Sequence, residues 1–129
     1  TDLQDLGQVE DILKSNTEIK MLYFETPANP TLACVDIAAL SQLGKKYNVL
    51  TAIDNTFPTP YFQRPLLLGC DFVIHSTTKF INGHGNSIAG VIIGKDKSFM
   101  KDKVWIAMKL AGTYYCVPPC PGSGGRGGY

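Results

Sequence analysis

The chain has 129 residues, enough for one domain with a moderate core. Hydrophobic residues make up 44% and charged residues 18%, a balance that excludes general disorder. Twelve basic residues oppose eleven acidic ones, for a formal charge of +1 with no basic block, so a nucleic-acid surface is excluded, and no apolar run is long enough to span a bilayer.

Thr1-Asp2-Leu3-Gln4 has the Thr-x-x-Gln shape of a capping box. Leu3, Leu6, Val9, Ile12 and Leu13 follow at helical spacing and predict a surface helix to about Lys14. This acidic start carries no apolar signal core and no initiator methionine, which reads as a fragment located by default in the cytoplasm. Lys20–Phe24 reads as a strand, stopped by Pro27 and Pro30. Asp36 is a good N-cap for a helix with Ile37, Leu40, Leu43, Gly44 and Tyr47 on one face, and Lys45 and Lys46 suit its last turn.

Val49–Ile53 is the next strand, ended by Asp54-Asn55-Thr56, and a long irregular segment follows with Pro58, Pro60 and Pro65. Phe72–His75 reads as a buried strand, Ser76–Asn86 as a polar loop, and Ile88–Ile93 as another strand. A final helix carries Met100, Val104, Ala107, Met108 and Ala111 on one stripe. From Thr113 the composition turns to proline and glycine, the signature of a poorly packed tail. Cys116 and Cys120 lie in that tail without a nearby histidine to complete a metal site, while Cys34 and Cys70 read as small buried hydrophobes. Nothing in the cysteine spacing suggests a disulfide framework.

Strand, helix, strand is the order of a crossover unit, so the fold class is α/β with a mostly parallel sheet. Ligands of such sheets bind beyond the carboxyl ends of the strands. Three of those ends carry reactive groups here: Glu25 to Asn29, Asp54, and Ser76 to Lys79. A carboxylate at a buried strand end needs a partner, which for Asp54 is either a helix cap or internal base, or a cationic ligand nitrogen. Lys79 is either a solvated surface amine or, at the edge of the core, an amine with a lowered pKa and nucleophilic character. Ser76 and Thr78 are either turn residues or two hydroxyls that converge on one anion. His75 finishes a strand, and His84, bracketed by Gly83 and Gly85, fits a loop-fixing role better than a catalytic one.

Pyridoxal phosphate would unite these pieces, with an aldehyde for a lysine, a ring nitrogen for a carboxylate, a phosphate for hydroxyls and a phenolic oxygen for an amide. Tyr23-Phe24-Glu25-Thr26-Pro27-Ala28-Asn29-Pro30-Thr31, Asp54-Asn55-Thr56-Phe57 and His75-Ser76-Thr77-Thr78-Lys79-Phe80 together resemble the Cys/Met-metabolism family of pyridoxal-phosphate-dependent enzymes. The resemblance runs from Thr1 to Thr113. It implies a partial large domain of the aspartate-aminotransferase-like fold (fold type I) over residues 1–113, with residues 114–129 as a tail that does not match the family.

By the same resemblance Lys79 matches the Schiff-base lysine and proton shuttle, and Asp54 the partner of the pyridine nitrogen. Ser76 and Thr78 match phosphate contacts, Asn29 matches the amide near the ring hydroxyl, and Glu25 has no assigned chemistry. The segment Phe80–Gly90 looks most like the methionine γ-lyase and O-acetylhomoserine sulfhydrylase branches. The implied activity is a carbon–sulfur lyase of methionine γ-lyase type, acting by γ-elimination on a small sulfur-containing amino acid, expelling its Cγ sulfur substituent and yielding a 2-oxo acid and ammonia. Alternatives within the family are an O-acetylhomoserine sulfhydrylase and a cystathionine γ-lyase or γ-synthase. Full-length members are homo-oligomers, dimers of active dimers. They also carry a glycine-rich phosphate contact, a tyrosine stacked on the ring and a substrate-binding arginine, none of which maps onto this sequence. The 129 residues alone are therefore expected to show little turnover, and the alternative of another class is a non-catalytic fragment that misfolds or associates with the full-length enzyme.

Overall fold

The computed structural model describes residues 1–111. The tail, with Cys116, Cys120 and the expected boundary after residue 113, lies outside the described residues. The chain divides into two compact units, Thr1–Lys97 and Ser98–Tyr129.

In the first unit the elements run α1 (Leu6–Ser15), β1 (Met21–Glu25), α2 (Ile37–Tyr47), β2 (Leu50–Asp54), a short α3 (Thr59–Phe62), a 3-10 turn at Pro65–Leu68, β3 (Phe72–Ser76) and β4 (Gly90–Gly94). The sheet order is β1-β2-β3-β4. The first three strands are parallel, and β4 pairs antiparallel with β3, Ser76 facing Gly90 and Phe72 facing Gly94. The expected α/β class with a mostly parallel sheet is thus what the chain forms. A parallel pair needs a crossover connection, which α2 supplies between β1 and β2.

The first helix starts later than the Thr1 capping box implies. Its N-cap is Asp5, whose side chain accepts from the Gln8 amide at 3.0 Å. Asp2 instead closes a turn by accepting from the Gln4 amide at 2.9 Å. Both Asp-x-x and Thr-x-x patterns offer an oxygen in reach of an amide, and Asp5 wins because it adjoins the buried Val9 and Leu13 stripe. The second helix follows its sequence signals. Asp36 caps it by accepting from the Ala39 amide at 2.9 Å, and Asn48 ends it in the left-handed region. The segment after β2 is less irregular than its prolines suggest, because Pro60 and Pro65 fall in first helical turns, where a missing N–H costs nothing.

The core gathers Val9 and Leu13 of α1, Ile37 and Leu40 of α2, and Phe24, Ile53 and Val73 of the sheet, with Val49 and Cys70. Cys70 is buried as expected: its thiol donates to the carbonyls of Thr51 and Phe72, and burial pushes its pKa up. Cys34 does not follow that expectation. It is exposed, because it lies in the turn-rich Pro30–Val35 connection ahead of α2 rather than in a packed element. On the rim of α1 and α2 the Glu10 carboxylate accepts from Lys46 Nζ at 2.6 Å and from the Tyr47 hydroxyl at 2.8 Å. Hydrogen bonding from Lys46, then from Tyr47, lowers the Glu10 pKa.

Helix α2 lies close on β2, and Gly44 is the reason it can. A Cβ at Gly44 would sit 2.6 Å from Thr51 Cγ2 and 2.8 Å from the Val49 carbonyl oxygen. The same carbonyl end of α2 is stitched to the strand, since the Val49 amide donates to the Gly44 carbonyl at 2.8 Å.

Described residues of the second unit form a helical run. It takes up α4 (Lys97–Phe99), whose first residue closes the first unit, passes through a π-helical stretch at Met100–Trp105 and ends as α5 (Ile106–Leu110). The wider i→i+5 turns break the single 3.6-residue stripe expected from Met100 to Ala111. Among the described residues no helix is long and apolar enough to cross a membrane.

Replacement Gly44→Ala is expected to destabilise the chain by about 1–3 kcal/mol through overpacking. Adding Thr51→Ser should recover only part of this, since the Val49 carbonyl remains in the way. Urea midpoints of the three chains measure both effects; an unchanged midpoint in Gly44→Ala would show that α2 can lift from β2 without cost.

Candidate active site

Parallel pairing gathers the carboxyl ends of β1, β2 and β3. Glu25 faces Asp54 across the β1–β2 ladder, and Asp54 faces Ile74 across β2–β3. Side chains alternate along a strand. Tyr23, Glu25, Asp54, Ile74 and Ser76 therefore share the sheet face opposite that of Phe24, Ile53 and Val73, which is packed in the core.

Asp54 is half-buried. Its Oδ1 accepts from the Thr56 amide at 2.9 Å, a bond that turns the chain at the strand end. Its Oδ2 has the Tyr23 hydroxyl at 3.5 Å, a long contact. Burial first, and the Asp54 charge second, push the Tyr23 phenol up. Among the described residues Asp54 has no ion pair with a base, and it caps no helix.

Ser76 ends β3, and its amide donates to Thr56 Oγ1 at 2.8 Å. Asp54, Thr56 and Ser76 thus form one chain of hydrogen bonds across the β2 and β3 ends. Thr78 is tied elsewhere: its hydroxyl donates to the Ala89 carbonyl at 3.1 Å and accepts from the Ala89 amide at 2.8 Å. The two hydroxyl residues therefore anchor to opposite neighbours, Ser76 to β2 and Thr78 to the approach of β4.

Lys79 sits in a tight turn whose amides bond back, Lys79 to the Ser76 carbonyl and Gly83 to the Lys79 carbonyl. Its side chain is exposed, in keeping with the first of the two readings open for it, a solvated amine. The turn follows the last β3–β4 pair, Ser76 with Gly90. Among the described residues its amine forms no ion pair. Beyond it Gly83 and Gly85 both take left-handed backbone, at φ +72 and +66, and bracket an exposed His84.

Asn29 is exposed in the loop after β1, and its amide donates to Glu25 Oε2 at 3.2 Å. Glu25 therefore shapes the loop that carries Asn29.

Beneath this surface lies a polar layer that sequence reasoning missed. Asn55 is fully buried, and Thr26 and His75 nearly so. Gln63 Nε2 donates to the Thr26 carbonyl at 3.0 Å and to Asn55 Oδ1 at 2.7 Å, while Asn55 Nδ2 donates to the Gln63 carbonyl at 2.9 Å. The adjacency of Asn55 to Asp54 was the one available signal; Gln63 gives none, because its partner Thr26 is 37 positions away. His75 Nδ1 is buried without a hydrogen-bond partner among the described residues. Burial lowers the His75 pKa, opposed by a backbone hydrogen bond with Asn55 and by the Asp54 charge.

An amine, a carboxylate with one weakly engaged oxygen, hydroxyls and an amide thus lie at or just beyond the carboxyl ends of three parallel strands. That donor set fits an aldehyde, a protonated ring nitrogen, a phosphate and a phenolic oxygen, the groups of pyridoxal phosphate.

Residues 1–117 match the model of the Cys/Met-metabolism PLP-dependent enzymes. An L-methionine γ-lyase of Fusobacterium nucleatum subsp. polymorphum is 53% identical over 93 residues, 71% of this chain and 23% of that protein. A cystathionine β-lyase of Lactococcus lactis subsp. cremoris is 48% identical over 92 residues, 70% of this chain and 24% of that protein. Among solved structures, the cystathionine γ-lyase of Lactobacillus plantarum in complex with L-serine superposes with a TM-score of 0.84 at 36% identity, over 90% of this chain and 30% of that one. The chain spans about a quarter of the length of the curated relatives it matches.

The buried His75 gives a pH test. Its folded pKa lies below the ordinary 6.5, so the unfolded chain takes up the proton first. Stability is full above the unfolded value and falls as pH drops through 6.5 toward the folded value. Denaturant midpoints from neutral to mildly acidic pH should show this loss, and His75→Gln should flatten it. Parallel profiles for the two chains would remove His75 as its source.

Proposed function

This chain belongs to the Cys/Met-metabolism family of pyridoxal-phosphate-dependent enzymes, and from that premise we propose that its strand ends are part of the cofactor site of a carbon–sulfur lyase. The substrate is a small sulfur-containing amino acid and the reaction a γ-elimination of methionine γ-lyase type. Asp54, Lys79, Ser76, Thr78 and Asn29 are this chain's contribution to the site. Bound pyridoxal phosphate supplies an electron-accepting ring that stabilises negative charge at a substrate carbon.

Support comes foremost from Asp54, whose Oδ1 is bonded locally while Oδ2 has only a long contact to a phenol. A carboxylate so arranged can hold a protonated ring nitrogen through Oδ2 without giving up the bond that shapes its turn. Lys79, exposed and outside any ion pair among the described residues, is available to a carbonyl carbon. Released from it, the amine can take the proton from the substrate Cα and return it elsewhere. Ser76 offers a hydroxyl on the Asp54 face. Thr78 can meet a phosphate oxygen by exchanging its donor bond to Ala89. Asn29, on a loop shaped by Glu25, meets the phenolic oxygen.

Relatives named methionine γ-lyase and cystathionine β-lyase align at similar identity, which supports the lyase class and leaves cystathionine as the second substrate to try. In the complete protein the site belongs to a homo-oligomer, a dimer of active dimers. The 129 residues alone bind cofactor but turn over little, because orientation of substrate supplies much of the rate.

Incubation with pyridoxal phosphate, borohydride reduction and peptide mapping should label Lys79 selectively. Labels scattered over other lysines would sink the cofactor assignment. Asp54→Asn should weaken cofactor retention by about 1.5–3 kcal/mol, the worth of a hydrogen bond to a charged group, at nearly unchanged folding. Ammonia and 2-oxo-acid release from methionine and from cystathionine, measured for the complete protein, decides between the two substrates.

A further inference from the structure

The β1–β2 ladder stops at the Glu25 and Asp54 pair. Past it the chain departs in two directions, Thr26 into the Pro27–Pro30 loop and Asn55 toward α3. Both residues are buried there, at 3% and 0% exposure, where an unpaired carbonyl or carboxamide is expensive. One nitrogen serves both. Gln63 Nε2 uses its two hydrogens on the Thr26 carbonyl and Asn55 Oδ1. Its backbone is held at the right distance by α3, since the Thr59 amide donates to the Asn55 carbonyl at 3.1 Å and the Gln63 amide to the Thr59 carbonyl at 3.2 Å.

We infer that Gln63 is a positioning residue of the site: its carboxamide continues the β1–β2 ladder by one rung and holds Asp54 and the Asn29 loop in fixed relation. The inference deepens the cofactor-site reading and rests on it for its functional meaning. Each residue that Gln63 grips adjoins a site residue or one that holds a site residue in place. Asn55 follows Asp54, and Thr26 follows Glu25, whose carboxylate holds the Asn29 amide. The side chain must offer two N–H donors from one atom. A glutamate offers none when ionised and one when protonated, and a methionine of similar length offers none.

The test is residue-resolved amide hydrogen exchange on the 129-residue chain without cofactor. The Thr56 amide, bonded to Asp54 Oδ1, and the Asn29 amide, bonded to Glu25 Oε2, report the site. The Leu40 amide, bonded to the Asp36 carbonyl in α2, reports the core. In Gln63→Met both site reporters should exchange about tenfold faster, the loss expected for a relaxed hydrogen-bond network, with Leu40 little changed. In Gln63→Glu the acceleration, corrected for intrinsic exchange, should grow with pH as the carboxylate ionises against two carbonyl oxygens. The parent should show no such growth; Asp54, Glu25 and His75 are common to all three chains. Unchanged site reporters would overturn the inference. So would equal acceleration of Leu40 and the site in both variants, which would make Gln63 a contributor to global stability alone. Borohydride labelling of Lys79 in the parent is read separately: if it fails while the reporters respond, the cofactor reading falls and the positioning role stands.

Discussion

A fully buried carboxamide at the end of a strand constrains everything around it. Asn55 cannot leave its amide unpaired without a penalty of about 1–3 kcal/mol, and its bonds to Gln63 and, through its backbone amide, to the Ile74 carbonyl at 2.8 Å meet that demand. The consequence is geometric. Three strand ends that would otherwise splay are tied together beyond the last ladder pair, by Gln63 between β1 and β2 and by Thr56 between β2 and β3. The candidate site residues follow that platform, half-buried at Asp54 and exposed at Lys79.

The two faces of the sheet divide the labour. One face is dry: Phe24, Ile53 and Val73 pack against Val9, Leu13, Ile37 and Leu40. This burial orders the strands and supplies the driving force for the first unit. The opposite face buries Ala52 and Phe72 but leaves Tyr23, Glu25, Asp54 and Ser76 at least partly exposed toward the strand ends. Alternation along a strand makes the division unavoidable. The residue that anchors the platform, Asn55, points with Ile53 into the interior, while its neighbour Asp54 points to the site.

Local signals carried most of the fold. Period-two and helical patterns gave the strands and α2, and Asp36 capped the helix it precedes, because such contacts span a few residues. Where two local solutions competed, as between Thr1 and Asp5 at α1, only packing of Val9 and Leu13 decided. The candidate site was legible as a set of polar and titratable residues at strand ends, since Asp54 and Ser76 to Lys79 each follow an apolar run. Its architecture was not. The bond from Gln63 to Thr26 joins residues 37 apart, and the pair at Thr78 and Ala89 joins residues 11 apart. Composition and periodicity do not record such pairings. The exposure of Cys34 escaped for the same reason, since it lies in a turn whose environment is set by distant chain.

The paired bonds between Thr78 and Ala89 also act as a neck. They close the stretch from Lys79 to Ile88 into a loop whose base is fixed independently of its tip. Doubling the length of such a loop costs only about 0.6 kcal/mol in closure entropy. The ties that hold Thr78 do not depend on the stretch from His84 to Ile88, whereas Gly83, whose amide donates to the Lys79 carbonyl, belongs to the turn itself. Changes of length or sequence confined to His84–Ile88 therefore leave in place the turn that carries Lys79.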